Sequence, residues 1–166
     1  IRSQPFYINE PVFNRIVICT KGGTSIYDLK KKTFEISKIP NYSPEYETHC
    51  IQYIEYDNSW WIGTSNGLVR YHEDNLSLRH LYHIEDVEQT LPDNNLRCMH
   101  RVDDTMIFIG TSDGLCLLNA VDQTLNRIDL NALTNYRSSK TDVSKIISLD
   151  ENKIMVSTYT DGLYVY

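Results

Sequence analysis

A seven-residue phrase recurs along this chain and constrains its fold more than any other feature. Ile62-Gly63-Thr64-Ser65-Asn66-Gly67-Leu68 returns as Ile109-Gly110-Thr111-Ser112-Asp113-Gly114-Leu115. It returns with one residue inserted as Val156-Ser157-Thr158-Tyr159-Thr160-Asp161-Gly162-Leu163, and in degraded form as Ile18-Cys19-Thr20-Lys21-Gly22-Gly23-Thr24. Gly23, Gly67, Gly114 and Gly162 lie 44, 47 and 48 residues apart. A period of this size marks stacked supersecondary units, which shield one another's apolar faces. Such arrays bind through surfaces built from loops.

Residues 50–83 form the clearest unit. Cys50 to Tyr56 is rich in β-branched and aromatic residues and reads as a strand. A turn at Asp57-Asn58-Ser59 leads to a second strand, Trp60 to Thr64. Ser65-Asn66-Gly67 reads as a tight turn in which Asn-Gly supplies positive φ. Leu68 to Tyr71 and Leu76 to His83 complete a four-stranded antiparallel meander. The same order predicts units at roughly 6–39, 96–130 and 143–166, the last one strand short. No sustained helical periodicity appears, so the expected fold is all-β.

The second strands carry the architecture. Trp60-Trp61-Ile62 and Met106-Ile107-Phe108-Ile109 are unbroken apolar runs, whereas a strand with one wet face alternates. Both faces of each unit are therefore covered, as in β-propeller blades. Trp61 and Phe108 occupy equivalent places, as do Gly63 and Gly110, which suggests a large side chain of one blade meeting the glycine of another. At about 40–50 residues per blade the chain holds roughly three and a half blades. It reads as a segment of a larger propeller. The alternative is a closed four-bladed form in which residues 1–8 supply the missing outer strand, although Ile1 to Gln4 make a poor one. A segment leaves apolar flanks bare, so self-association is expected.

Trp61-Ile62-Gly63-Thr64-Ser65-Asn66-Gly67-Leu68, with Tyr71 following, resembles the repeat of the two-component regulator propeller family. Phe108 to Leu115 is similar, as is the approach Leu91-Pro92-Asp93-Asn94-Asn95-Leu96 into a first strand. The chain departs from the pattern at Val17 and Met155, where the tryptophan would stand, and at Cys19 and Ser157, where the glycine would. The resemblance implies the periplasmic sensor region of a hybrid two-component system of Bacteroides type, part of an inner-membrane protein. In such proteins two propellers of about seven blades each precede a small β-sandwich, a membrane helix and a histidine kinase. It further implies oligosaccharide inputs and a homodimeric parent.

Charge and composition narrow the partners. A formal net charge of −6 repels phosphate and anionic lipid, which argues against nucleic acid and membrane surfaces. No apolar run approaches the ~20 residues of a membrane span. Cys19, Cys50, Cys98 and Cys116 form no CxxC pair. They read as buried thiols or a disulfide between distant strands, and thiols alone favour a reducing compartment weakly.

No catalytic constellation is legible: GxSxG, HExxH, P-loop and kinase signatures are all missing. No cofactor is expected. His80 and His83 are three apart and fall on opposite faces of a strand, so a shared metal is not expected. Asp103-Asp104 and Glu85-Asp86 read as solvated loop charge. One carboxylate in each glycine turn cannot fill a calcium shell. Of the aromatics, Trp60, Trp61, Tyr53 and Tyr56 read as core. Binding is expected on the three long connections between blades, residues 40–48, 82–95 and 131–142, which should gather on one face. Tyr42, Tyr46, Tyr136 and Arg137 are the candidate ligand contacts, with His83, Asp93 to Asn95 and Lys140 beside them. The functions to separate are a ligand sensor, a protein-interaction platform without a small ligand and, least supported, a propeller lyase or glycosidase.

Overall fold

The computed structural model describes residues 5–12, 14–20, 23–35, 46–133, 140–150 and 152–166. Among the described residues four antiparallel sheets follow one another along the chain. The first holds β1 (Pro5–Val12), β2 (Arg15–Thr20), β3 (Gly23–Asp28) and β4 (Thr33–Glu35). The second holds β5 (Thr48–Ile54), β6 (Ser59–Thr64), β7 (Gly67–His72) and β8 (Leu78–Leu81). The third holds β9 (Leu96–Arg101), β10 (Met106–Thr111), β11 (Gly114–Asn119) and β12 (Thr124–Ile128). The fourth holds β13 (Val143–Asp150), β14 (Lys153–Thr158) and β15 (Leu163–Val165). Each is a simple meander in chain order, the form of a propeller blade.

The sheets stack face to face in file. β1 lies against β5, β5 against β9 and β9 against β13. Among the described residues the row does not close into a barrel. β1 pairs with β2 as the first strand of the first sheet, not as an outer strand beside β15.

Three apolar cores fill the three interfaces, and the consecutive apolar residues of the second strands explain them. Alternate side chains point to opposite faces. Trp60 and Ile62 join Val17 and Cys19 of the first sheet, whereas Trp61 joins Met99 and Ile107 of the third. Phe108 faces onward to Val143, Ile146 and Ile154 of the fourth. Trp60 and Trp61 are both fully buried. At about 25 cal/mol per Å², two indoles buried on opposite faces make the second sheet the anchor of the row.

The glycine of the phrase faces a closer neighbour than a tryptophan. A Cβ on Gly63 would lie 2.4 Å from Cys50 Sγ and 3.2 Å from Leu96 Cβ. One on Gly110 would lie 2.4 Å from Val143 Cγ1 and 2.8 Å from Cys98 Sγ. Cys50 and Cys98 are the cross-strand partners of these glycines, while Leu96 and Val143 belong to the next sheet. The expected pairing of a large side chain with glycine is thus corrected. The intruder is the first residue of the next blade's first strand. Thr48, smaller than Leu96, stands at that place opposite the first sheet, which carries Cys19 instead of glycine.

Two further expectations change. Tyr56 is not core: it sits in a 3-10 turn at Glu55–Asp57 that ends β5 early, and is 64% exposed. The outer strand expected at 76–83 is only Leu78–Leu81, because Leu76 takes φ 57°.

Candidate functional site: the loop edge of the sheets

The described turns between second and third strands and the described ends of the connections between sheets lie along the same edge. A threonine brackets each of the three described turns, in the second, third and fourth sheets. Thr64 Oγ1 accepts the Asn66 N–H at 3.0 Å and donates to the Gly67 carbonyl at 2.8 Å. Thr111 does the same with Asp113 (3.2 Å) and Gly114 (2.9 Å), and Thr158 with Asp161 (2.9 Å) and Gly162 (3.2 Å). Positive φ falls on the glycines, 97° at Gly67, 118° at Gly114 and 87° at Gly162, and not on the preceding Asn or Asp. The sequence shows these threonines at a fixed offset, but only the structure gives them a task.

The turns of the second and third sheets are each tied to two connections, and that of the fourth to one. The residue after the threonine donates its N–H to the carbonyl just ahead of its own first strand: Ser65 to Glu47 at 3.0 Å, Ser112 to Asn95 at 2.9 Å, Tyr159 to Asp142 at 2.9 Å. The glycine donates to the next connection: Gly67 to Asn94 at 2.6 Å and Gly114 to Thr141 at 2.7 Å. This backbone stitching fixes the described turns to the described ends of the connections.

Side chains reinforce it. Arg97 holds Asp142 with two parallel bonds, Nε to Oδ1 and Nη2 to Oδ2, each 3.0 Å. Its guanidinium also lies 5.8 Å from the centre of the Tyr159 ring. Asp93 Oδ1 accepts the Ser112 hydroxyl at 2.5 Å and the Asn95 N–H at 2.7 Å. His49 Nδ1 is 2.7 Å from the Leu96 carbonyl, so that nitrogen carries the proton and donates. On the outer side, Arg127 donates to the carbonyls of Val87, Thr90 and Leu91 at 2.9–3.1 Å and to Thr90 Oγ1 at 3.0 Å. It pins the 82–91 connection beside an open groove of about 460 Å³.

The predicted contacts divide. Tyr46 stands half-buried just ahead of β5 on this edge. Tyr42, Tyr136 and Arg137 lie outside the described residues. His83 donates Nδ1–H to the Leu91 carbonyl at 2.8 Å, and Asn94 Oδ1 accepts the His83 N–H at 2.7 Å, so these groups fasten their own loop. Lys140 is exposed. Sequence reasoning missed Arg97, Asp142 and Tyr159. Tyr159 alone left a signal, being the aromatic residue at the inserted turn.

Elsewhere the chemistry is muted. The four cysteines are free and buried. Burial pushes the thiols of Cys19, Cys98 and Cys116 up to about 12, and that of Cys50 well above its ordinary value. Thiols so shifted are poor nucleophiles. His100 Nε2 lies 2.7 Å from Ser148 Oγ, a contact between residues 48 apart that no motif announces. Burial, and then the Lys145 charge, lowers the pKa of His100. Among the described residues no carboxylate hydrogen-bonds its other ring nitrogen, and a serine–histidine pair without that orienting group lacks the triad arrangement. No group of three or more His, Cys, Asp or Glu among the described residues is placed to hold a metal ion. No described helix is long and apolar enough to cross a membrane.

Solved structures supply the comparison. The extracellular domain assigned to the hybrid two-component system BT4673 of B. thetaiotaomicron superposes with TM-score 0.75 at 17% identity, over 98% of this chain and 21% of that one. That of BT3049 from the same organism gives 0.74 at 24% identity, over 98% and 20%. The chain shares their fold. They are extracellular domains of Bacteroides two-component systems, the kind of protein whose repeat the phrase resembles. A Bacteroides thetaiotaomicron protein of unknown function follows with TM-score 0.66 at 10% identity, over 92% and 44%. The propeller segment spans about a fifth of the length of the two extracellular domains. No family model and no curated protein matches the sequence.

Proposed function

We propose that this chain is part of the periplasmic sensor region of a hybrid two-component system, binding an oligosaccharide and signalling to a histidine kinase encoded elsewhere in the parent. The observation that carries the reading is the superposition of 98% of the chain on two extracellular domains of such systems. Two features support it. The described turns of the loop edge are tied to the adjoining connections by backbone bonds, as a binding surface on a repeat scaffold requires. The histidines and thiols are engaged or suppressed, as suits a module that binds rather than reacts.

The parent signals as a homodimer in this reading, and the isolated chain self-associates. The outward face of the fourth sheet supports the second point: Ile147, Leu163 and Val165 are 45%, 64% and 52% exposed there. Light scattering at rising concentration checks it, and a monomer throughout would refute it. Calorimetric titration with neutral and acidic oligosaccharides tests the sensor role. Heat from at least one is expected. Silence with all of them, together with a stable protein partner in pull-down, would favour an interaction platform.

A further inference from the structure

The fourth sheet departs from the other repeats at one position of the loop edge. In the second and third sheets the residue after the turn threonine is Ser65 or Ser112, and its hydroxyl is absorbed locally. Ser65 Oγ accepts the Glu47 N–H at 3.1 Å, and Ser112 Oγ donates to Asp93 at 2.5 Å. Tyr159 takes this place in the fourth sheet with the same backbone bond, N–H to the Asp142 carbonyl at 2.9 Å. Its side chain, 69% exposed, contributes little to any core.

The ring is nevertheless positioned. Arg97 from the third sheet lies 5.8 Å from its centre, and Asp142 holds that guanidinium by two bonds of 3.0 Å. The cation therefore arrives with its charge already balanced. Two residues away along the neighbouring strands, Ser144 and Ser157 pair their hydroxyls with each other at 2.8 Å. An aromatic surface open to solvent, beside the fixed and charge-balanced Arg97–Asp142 pair, suits a ligand that has an apolar face and a hydroxylated rim.

We propose that Tyr159, Arg97 and Asp142 form a subsite for one pyranose unit of a neutral oligosaccharide. The C–H face of the sugar stacks on Tyr159. The free edges of the Arg97–Asp142 pair take its hydroxyls, one partner donating and the other accepting. An acidic sugar is disfavoured, because it must compete with Asp142 for Arg97 in a chain of net charge −6. This subsite rests on the oligosaccharide reading above.

The test is calorimetric titration of the full chain with the tetrasaccharides of β-1,4-linked glucose, xylose and mannose, of α-1,4-linked glucose, and of an α-1,4-linked uronic acid. One neutral tetrasaccharide is expected to bind. Tyr159→Ala should weaken it about tenfold with an unchanged melting temperature, whereas Tyr159→Phe, which keeps the ring, should stay within about threefold. Binding equal in wild type and Tyr159→Ala would overturn the subsite and leave the sensor reading standing. Binding of the uronate alone would do the same. Heat from none of the five would overturn both.

Discussion

Replacing Gly63 by alanine tests the packing rule on which the stacking of these sheets depends. The new methyl would lie 2.4 Å from Cys50 Sγ and 3.2 Å from Leu96 Cβ and Cδ2. Cys50 and Leu96 are both fully buried, so neither can swing into solvent. Overpacking of this kind costs about 1–3 kcal/mol, and a displacement of more than an ångström belongs near about 2.5. In a chain of this size that lowers the melting temperature by about 5–10 °C. Cys50→Ala alone removes a buried sulfur and costs about 1 kcal/mol. In the double variant the methyl meets only Leu96 at 3.2 Å, which a shift of a few tenths of an ångström relieves. The pair should therefore lose only about 1 kcal/mol in total, a coupling of about 2.5 kcal/mol relative to additivity. Urea unfolding of the four proteins by far-ultraviolet circular dichroism measures it. Additivity within about 0.5 kcal/mol would refute close approach as the reason for glycine. Gly162→Ala is the control, since no atom lies within 4 Å of its Cβ and only its φ of 87° opposes the change.

Three other outcomes follow from the same structure. Thr111→Val removes both bonds that bracket the Asp113-Gly114 turn and should cost about 1–3 kcal/mol, with faster hydrogen exchange at the Asp113 amide. Because burial raises the Cys116 thiol from 9.0 to about 12, the unfolded chain loses that proton first. Its contribution is intact below pH 9.0 and fades as pH rises towards 12, so Cys116→Ala should flatten the alkaline stability profile by about 1.4 kcal/mol per pH unit. The reverse holds at His100, whose pKa is lowered from 6.5 by burial first and the Lys145 charge second. Its contribution is present above 6.5 and is lost as pH falls through the lowered value. The urea midpoint should drop further between pH 7.5 and 5.5 in wild type than in His100→Gln.

The candidate site was legible only in outline. The connections at 82–95 and 131–142 announce themselves as long, polar and placed between repeats. Asp93 to Asn95 and His83 do lie there, yet they bond to their own loop and to the neighbouring turns, because a connection crossing a sheet edge must satisfy its backbone before it can offer groups to a ligand. Arg97 and Asp142 are 45 residues apart, and nothing in the local sequence of either predicts that they meet. Likewise Tyr56 looked like core by strand alternation, and a 3-10 turn at Glu55–Asp57 put it into solvent.

The sequence by itself determined the unit. Unbroken apolar second strands, glycine turns and a period of 44 to 48 residues allow little besides antiparallel meanders covered on both faces, because backbone geometry and water act on each copy alike. Tertiary structure alone decided which side chains meet across the sheets: Leu96 against Gly63, Val143 against Gly110, Arg97 beneath Tyr159. Those contacts depend on the stagger of one sheet on the next, which the volumes of the packed side chains set jointly and no single stretch of chain encodes.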